Sequence, residues 1–140
     1  MEGDLYFIYV LKLENGGFYV GSTKNLKKRL RTHFKNGGAM ATKEYKAIEI
    51  VEIKKLVDYK MKHGFAHGNL EIGTAIQYSK KYGKHLIRGA KHGNGWQDEP
   101  SSNSIKIIAR FTKFMSSNDY KTLLKNARQI DLTTFRMNEN

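Results

Sequence analysis

Residues 5–21, LYFIYVLKLENGGFYVG, constrain the fold of this chain more than any other stretch. Residues 5–13 are dense in aromatic and branched apolar side chains, the composition of a strand buried on both faces. Glu14-Asn15-Gly16-Gly17 is a turn signal, and residues 18–21 read as a short returning strand, so the pair predicts a β-hairpin. Side chains alternate faces along a strand, which sets Tyr9 on one face with Phe7, Leu11 and Leu13. A two-residue Asn15-Gly16 loop sets Lys12 opposite Tyr19 and separates the two tyrosines. A three-residue loop, Asn15-Gly16-Gly17, sets Leu13 opposite Tyr19 and puts both tyrosines on one face. The second glycine favours the longer loop, because such turns end on a residue in the left-handed region.

The hairpin feeds into a basic segment. Ser22, Thr23 and Asn25 are N-cap candidates, a helix is expected over residues 25–34, and Asn36-Gly37-Gly38 ends it. At about 100° per residue, Leu26, Leu30 and Phe34 make its apolar stripe, while Lys27, Lys28, Arg31 and Lys35 point away. Arg29 and His33 border the stripe. Two readings of Arg29 fit equally: a stem covering apolar surface with its head in water, or a guanidinium leaning into a cleft beside the tyrosines.

Residues 47–55 read as a third strand, with Ile48 and Ile50 alternating against Glu49, and residues 63–69 as a glycine- and histidine-rich loop. A second helix is expected over residues 69–82, ending at Gly83, with Ile72, Ala75, Ile76 and Ser79 inward. Residues 87–104 are read as one long loop, residues 119–127 as a helix capped by Asn118, and the tail from Asp131 as frayed. Hairpin, helix, strand, helix and a C-terminal extension make an α+β order.

A chain of 140 residues fits one domain, or one domain with a short appendage. It has no cysteine, no apolar run near the roughly 20 residues that cross a bilayer, and no basic n-region, so an intracellular site (cytoplasm or nucleus) is expected, without membrane attachment. Lys and Arg number 25 against 13 Asp and Glu, a net charge of +12. Such a balance favours polyanions, nucleic acid above all, over the bland reading in which lysines only solvate the surface.

Ile8-Tyr9-Val10, then Tyr19-Val20-Gly21, then a helix with Arg29 eight positions after that glycine, resembles the GIY-YIG nuclease superfamily. Phe7 stands where the first motif usually has glycine. Residues 70–96 are similar to a subset of that superfamily in which Glu-x-x-Thr (Glu71, Thr74) precedes Tyr82-Gly83 and Arg88-Gly89. The resemblance spans roughly residues 6–96. It implies a small three-stranded antiparallel sheet flanked by helices, with residues 1–96 as the nuclease-like domain. It leaves the remainder unexplained, and residues 97–140 are separately expected to form a helical extension packed on the same domain. It also implies a DNA endonuclease with Mg²⁺ (Mn²⁺ as substitute) held by one glutamate. Glu71 is preferred for that role over Glu44, Glu49 and Glu52, although a glutamate in a helix's first turn also favours the dipole without any metal.

Phosphodiester hydrolysis needs an activated water, charge on the phosphoryl oxygens and help for the leaving oxygen. The resemblance implies a tyrosine as general base, Tyr9 favoured over Tyr19, with Arg29 as phosphate clamp. Nearby cations would favour the phenolate. His33 fits a relay or plain structure. Lys24, Lys27, Lys28, Arg31, Lys35, Arg88 and Lys91 are candidates for the phosphate backbone. Asn94 is a weaker candidate amide, and Trp96 fits a core anchor better than a stacking platform. One site cuts one strand, so a monomer or a homodimer fits. The alternative is a non-catalytic nucleic-acid-binding module that keeps the fold, which Phe7 favours by crowding the approach to Tyr9.

Overall fold

In the computed structural model, which describes residues 3–36, 38–93, 95–96 and 100–135, the chain folds around a five-stranded mixed sheet. Strand β1 (Leu5–Leu13) is central, and β2 (Phe18–Thr23) and β3 (Ala47–Val57) flank it, both antiparallel. Two-residue strands add the edges: β4 (Ile87–Arg88) runs parallel to β2, and β5 (Arg128–Gln129) antiparallel to β3. The expected three antiparallel strands are therefore the centre of a larger mixed sheet within the expected α+β class. Two residues are too few to show an alternating pattern, so the added strands leave no periodic signal.

The helices are α1 (Leu26–Asn36), α2 (Met40–Glu44), α3 (Ala66–Tyr82), α4 (Ser102–Phe114) and α5 (Asn118–Asn126). One sheet face packs Tyr9, Leu11, Leu13 and Ile53 against Leu26 and Leu30 of α1. The other packs Ile8, Val10, Val20 and Leu56 against Leu70 and Ala75 of α3 and Tyr120 and Leu123 of α5. No helix among the described residues is long and apolar enough to cross a membrane.

The hairpin loop is Glu14-Asn15-Gly16: Leu13 N–H donates to Gly17 O (2.8 Å) and Gly16 N–H to Leu13 O (2.9 Å). Gly16 takes the left-handed conformation, φ 85°. Tyr19 therefore lies opposite Leu11 rather than Leu13. A slip of two residues preserves faces, so both tyrosines still share a side. Gly17 serves packing rather than the turn, since a Cβ there would meet the Trp96 ring at 2.2 Å.

Other boundaries also depart from the sequence reading. Helix α3 begins at Ala66, inside the expected loop, because the Asp58 carboxylate takes the His67 N–H (2.8 Å) in place of a local cap. Its buried residues are Ala66, Asn69, Leu70, Gly73, Thr74, Ala75 and Ile76, a wider face than expected because α4 and α5 also cover it. Ile48 is 57% exposed: register shifts between β1 and β3 disrupt the alternation that would have turned it inward. Ser117, not Asn118, caps α5 by accepting from Tyr120 N–H. Residues 131–134 form a turn in which Asp131 accepts from Thr133 N–H (2.9 Å); the tail beyond 135 lies outside the described residues.

Candidate active site

Gly21 decides where the tyrosines can go. Tyr9 pairs with it across β1 and β2. A Cβ on Gly21 would lie 2.5 Å from the Tyr9 hydroxyl and 3.1 Å from the Tyr19 ring, so only glycine lets both rings lie across β2 here. Gly89, just past β4, plays the same part from the other side, its missing Cβ clearing Val20 O by only 2.2 Å and the Tyr19 ring by 3.0 Å. The two phenol rings end with centroids 6.4 Å apart. Phe7 packs at the margin of this cluster.

Tyr9 is 1% exposed, and its hydroxyl lies 2.8 Å from His33 Nε2. His33, equally buried, places Nδ1 3.1 Å from Thr42 Oγ1. The Thr42 hydroxyl donates to Ala39 O (3.0 Å) and accepts from Ala39 N–H (3.1 Å). With its one proton used, Thr42 accepts from His33 Nδ1–H. That tautomer leaves Nε2 as acceptor, so Tyr9 O–H donates to it. His33 is thus a buried member of the site rather than a border residue. Thr42 was not foreseen, because it sits on a one-turn helix with no periodic signal.

Arg29, half-buried on α1, faces both phenol oxygens, which answers the open question about its direction. Its charge favours their ionised forms, but burial outweighs it and both phenols are pushed up from their usual range. Arg29 thus acts as expected, in favour of the phenolate, but burial acts more strongly in the opposite direction.

Glu71 on α3 completes the cluster. Its charge is felt by both Tyr9 and Tyr19. Burial pushes its own carboxyl up, opposed by a hydrogen bond with Ser22 and by the nearby charges of His67 and Lys91. Because α3 starts at Ala66, Glu71 lies beyond the first turn, and the helix dipole does not account for it. The competing acids have other partners. Glu44 accepts from Trp96 N–H (3.2 Å), Glu52 accepts from the Tyr78 hydroxyl and faces Lys54 at 3.4 Å, and Glu49 is on the exposed part of β3. Among the described residues no three His, Cys, Asp or Glu cluster as a metal cage. A lone carboxylate beside the Ser22 hydroxyl fits a hard divalent cation that keeps waters and accepts substrate oxygens.

The other cations fall into two groups. Lys28, Arg31 and Lys35 form an exposed face of α1, Lys27 is partly covered beside them, and Lys24 is exposed with its ammonium 3.5 Å from Asp4. Lys91 is exposed on a left-handed turn in which Gly89, Ala90 and Lys91 have φ of 81°, 49° and 74°. Arg88 departs from expectation. It is 7% exposed, its guanidinium donates to the carbonyls of Gly95, Ile87, His85 and Trp96, and it stacks 4.6 Å from the Trp96 ring. A side chain held this way braces its loop instead of facing a ligand. Asn94 lies outside the described residues.

Residues 5–63 match the family model described as the GIY-YIG catalytic domain. That segment is similar to a GIY-YIG catalytic domain. The match ends before Glu71, so the convergence of Glu71 on the tyrosines is independent of it. Curated relatives of the GIY-YIG segment include UPF0213 protein YazA of Bacillus subtilis (strain 168), 37% identical over 51 residues, covering 36% of this chain and 52% of that protein. A UPF0213 protein of Bacillus pumilus (strain SAFR-032) is 40% identical over 50 residues, 36% of this chain and 51% of its own. The chain thus spans about half the length of the curated relatives it matches. No solved structure matches it.

Proposed function

We propose that this chain is a metal-dependent DNA endonuclease. The observation that carries the reading is the meeting of Tyr9, Tyr19, Arg29 and Glu71, drawn from two strands and two helices, at one end of β2. Tyr9 acts as a proton relay rather than a phenolate. Its oxygen accepts a proton from the attacking water while its own proton passes to His33 Nε2, and the imidazolium that forms keeps its Nδ1–H on Thr42. No free phenolate has to form in a buried site. Arg29 binds the scissile phosphate as a fork donor and stabilises its developing charge, while Tyr19 orients phosphate or water. Bound at Glu71, Mg²⁺ or Mn²⁺ would supply Lewis-acid stabilisation to the phosphoryl and leaving oxygens. Lys91 adds charge beside Glu71, and the exposed face of α1 tracks the backbone.

The second reading, a binding module without catalysis, has one observation in its favour: Tyr9 is 1% exposed, so water reaches its oxygen only if the site opens. Plasmid nicking with and without Mg²⁺ separates the two. Wild-type protein should nick, and Arg29→Ala and Glu71→Gln should each lose about 10²–10³-fold. Activity that survives both substitutions would remove this site. Binding without cleavage on any DNA form would support the second reading.

A further inference from the structure

His67 precedes Glu71 by four residues on α3, and its surroundings exceed what a helix start requires. Asp58 Oδ1 accepts the His67 backbone N–H at 2.8 Å, which is all that capping needs. The second carboxylate oxygen, Oδ2, lies 2.9 Å from the ring's Nδ1. The ring also stacks on Tyr6, centroids 3.7 Å apart and planes 2° from parallel. A carboxylate on Nδ1–H fixes the tautomer and leaves the lone pair on Nε2. A histidine that donates one ring N–H to a carboxylate and keeps the other nitrogen bare is the usual support of a metal-ligating imidazole. Side chains four apart on a helix are surface neighbours, the spacing at which two helical ligands share one ion. His67 is near enough to be an electrostatic neighbour of Glu71.

We propose that His67 Nε2 and the Glu71 carboxylate form a two-donor site for a divalent ion that accepts nitrogen, Mn²⁺ in particular, with Asp58 and Tyr6 holding the imidazole. The inference rests on the nuclease reading only in taking Glu71 as a metal ligand. Mixed nitrogen and oxygen donors shift preference away from Mg²⁺, which favours oxygen alone. Water and phosphate oxygens fill the remaining positions.

The test uses the full chain with Mn²⁺ alone and no nucleic acid. Electron spin echo modulation of bound Mn²⁺ should show coupling to one nitrogen in the wild type and none in His67→Gln. His67→Gln should weaken Mn²⁺ binding by about 10-fold or more while leaving Mg²⁺ binding nearly unchanged, and Asp58→Asn should weaken Mn²⁺ by about 10–100-fold. Absence of nitrogen coupling in the wild type would overturn the proposal even if the variants do not fold, and so would an equal loss of both ions in His67→Gln. Wild-type Mn²⁺ affinity in Glu71→Gln would overturn it as well. Failure of the nuclease reading alone looks different: nicking would be absent with either ion while nitrogen coupling persists and Glu71→Gln weakens Mn²⁺ binding.

Discussion

At the scale of single residues, the site depends on the absence of a side chain at Gly21. A Cβ there would lie 2.5 Å from the Tyr9 hydroxyl and 2.6 Å from Cζ, and the ring cannot retreat without leaving His33. Gly21→Ala should therefore cost about 1–3 kcal/mol of stability in denaturant titration and about 100-fold in nicking rate, the penalty of a misplacement near 1 Å. The raised carboxyl of Glu71 carries a different consequence. Its folded-state pKa lies above the ordinary value of 4.5, so the folded protein binds the extra proton. Stability from this group is fully present below pH 4.5 and is lost as pH rises through the higher folded value. Glu71→Gln should abolish that dependence and raise Tm at neutral pH in metal-free buffer, while nicking falls. The shared face of the two tyrosines was legible from strand parity, and the place of Arg29 beside the apolar stripe from helix phase, whereas Glu71 was singled out by the family resemblance. Ser22, Thr42 and Asp58 were not legible, since each acts through one contact with a residue that tertiary packing alone brings near.

At the scale of elements, the packing of α3 on α5 turns on Gly73 and Tyr120. A Cβ on Gly73 would lie 1.9 Å from the Tyr120 hydroxyl. Alanine at an ordinary helical glycine stabilises by about 1 kcal/mol; Gly73→Ala should instead destabilise by about 1–3 kcal/mol through overpacking. The Tyr120 hydroxyl is buried without a hydrogen-bond partner among the described residues. Tyr120→Phe should be neutral or stabilising, and in the double variant it should recover part of the Gly73→Ala loss; an additive cycle would refute the clash. The same helix shows where sequence reading stops. Its end at Gly83 was legible from the glycine, whereas its start was set by Asp58, nine residues before the amide it caps.

At the scale of the whole molecule, charge and architecture divide the work. The net charge of +12 gives sequence-independent attraction, and the exposed cations of α1 lie on the opposite side of that helix from the buried Leu26 and Leu30. Lys28→Ala, Arg31→Ala and Lys35→Ala should each reduce the slope of log K against log salt by about 1, with similar loss on unrelated DNA sequences. A loss confined to one sequence would mean base reading instead. The extension beyond residue 96 closes the sheet through β5 and supplies Tyr120 and Leu123 to the core. Charge pattern predicted a partner class, but nothing in local sequence marked residues 128–129 as a strand, because their pairing is wholly long-range.

Trp96 joins parts of the chain that are distant in sequence: its ring fills the space above Gly17 at the hairpin turn, its Nε1–H donates to Ala41 O (3.1 Å), and Arg88 lies over its face. It is also the only tryptophan in the chain. Its fluorescence is therefore a built-in optical reporter of one event, the release of the loop after β4 from the hairpin and α2. An emission change that comes before loss of helical circular dichroism would time the opening of this corner separately from global unfolding.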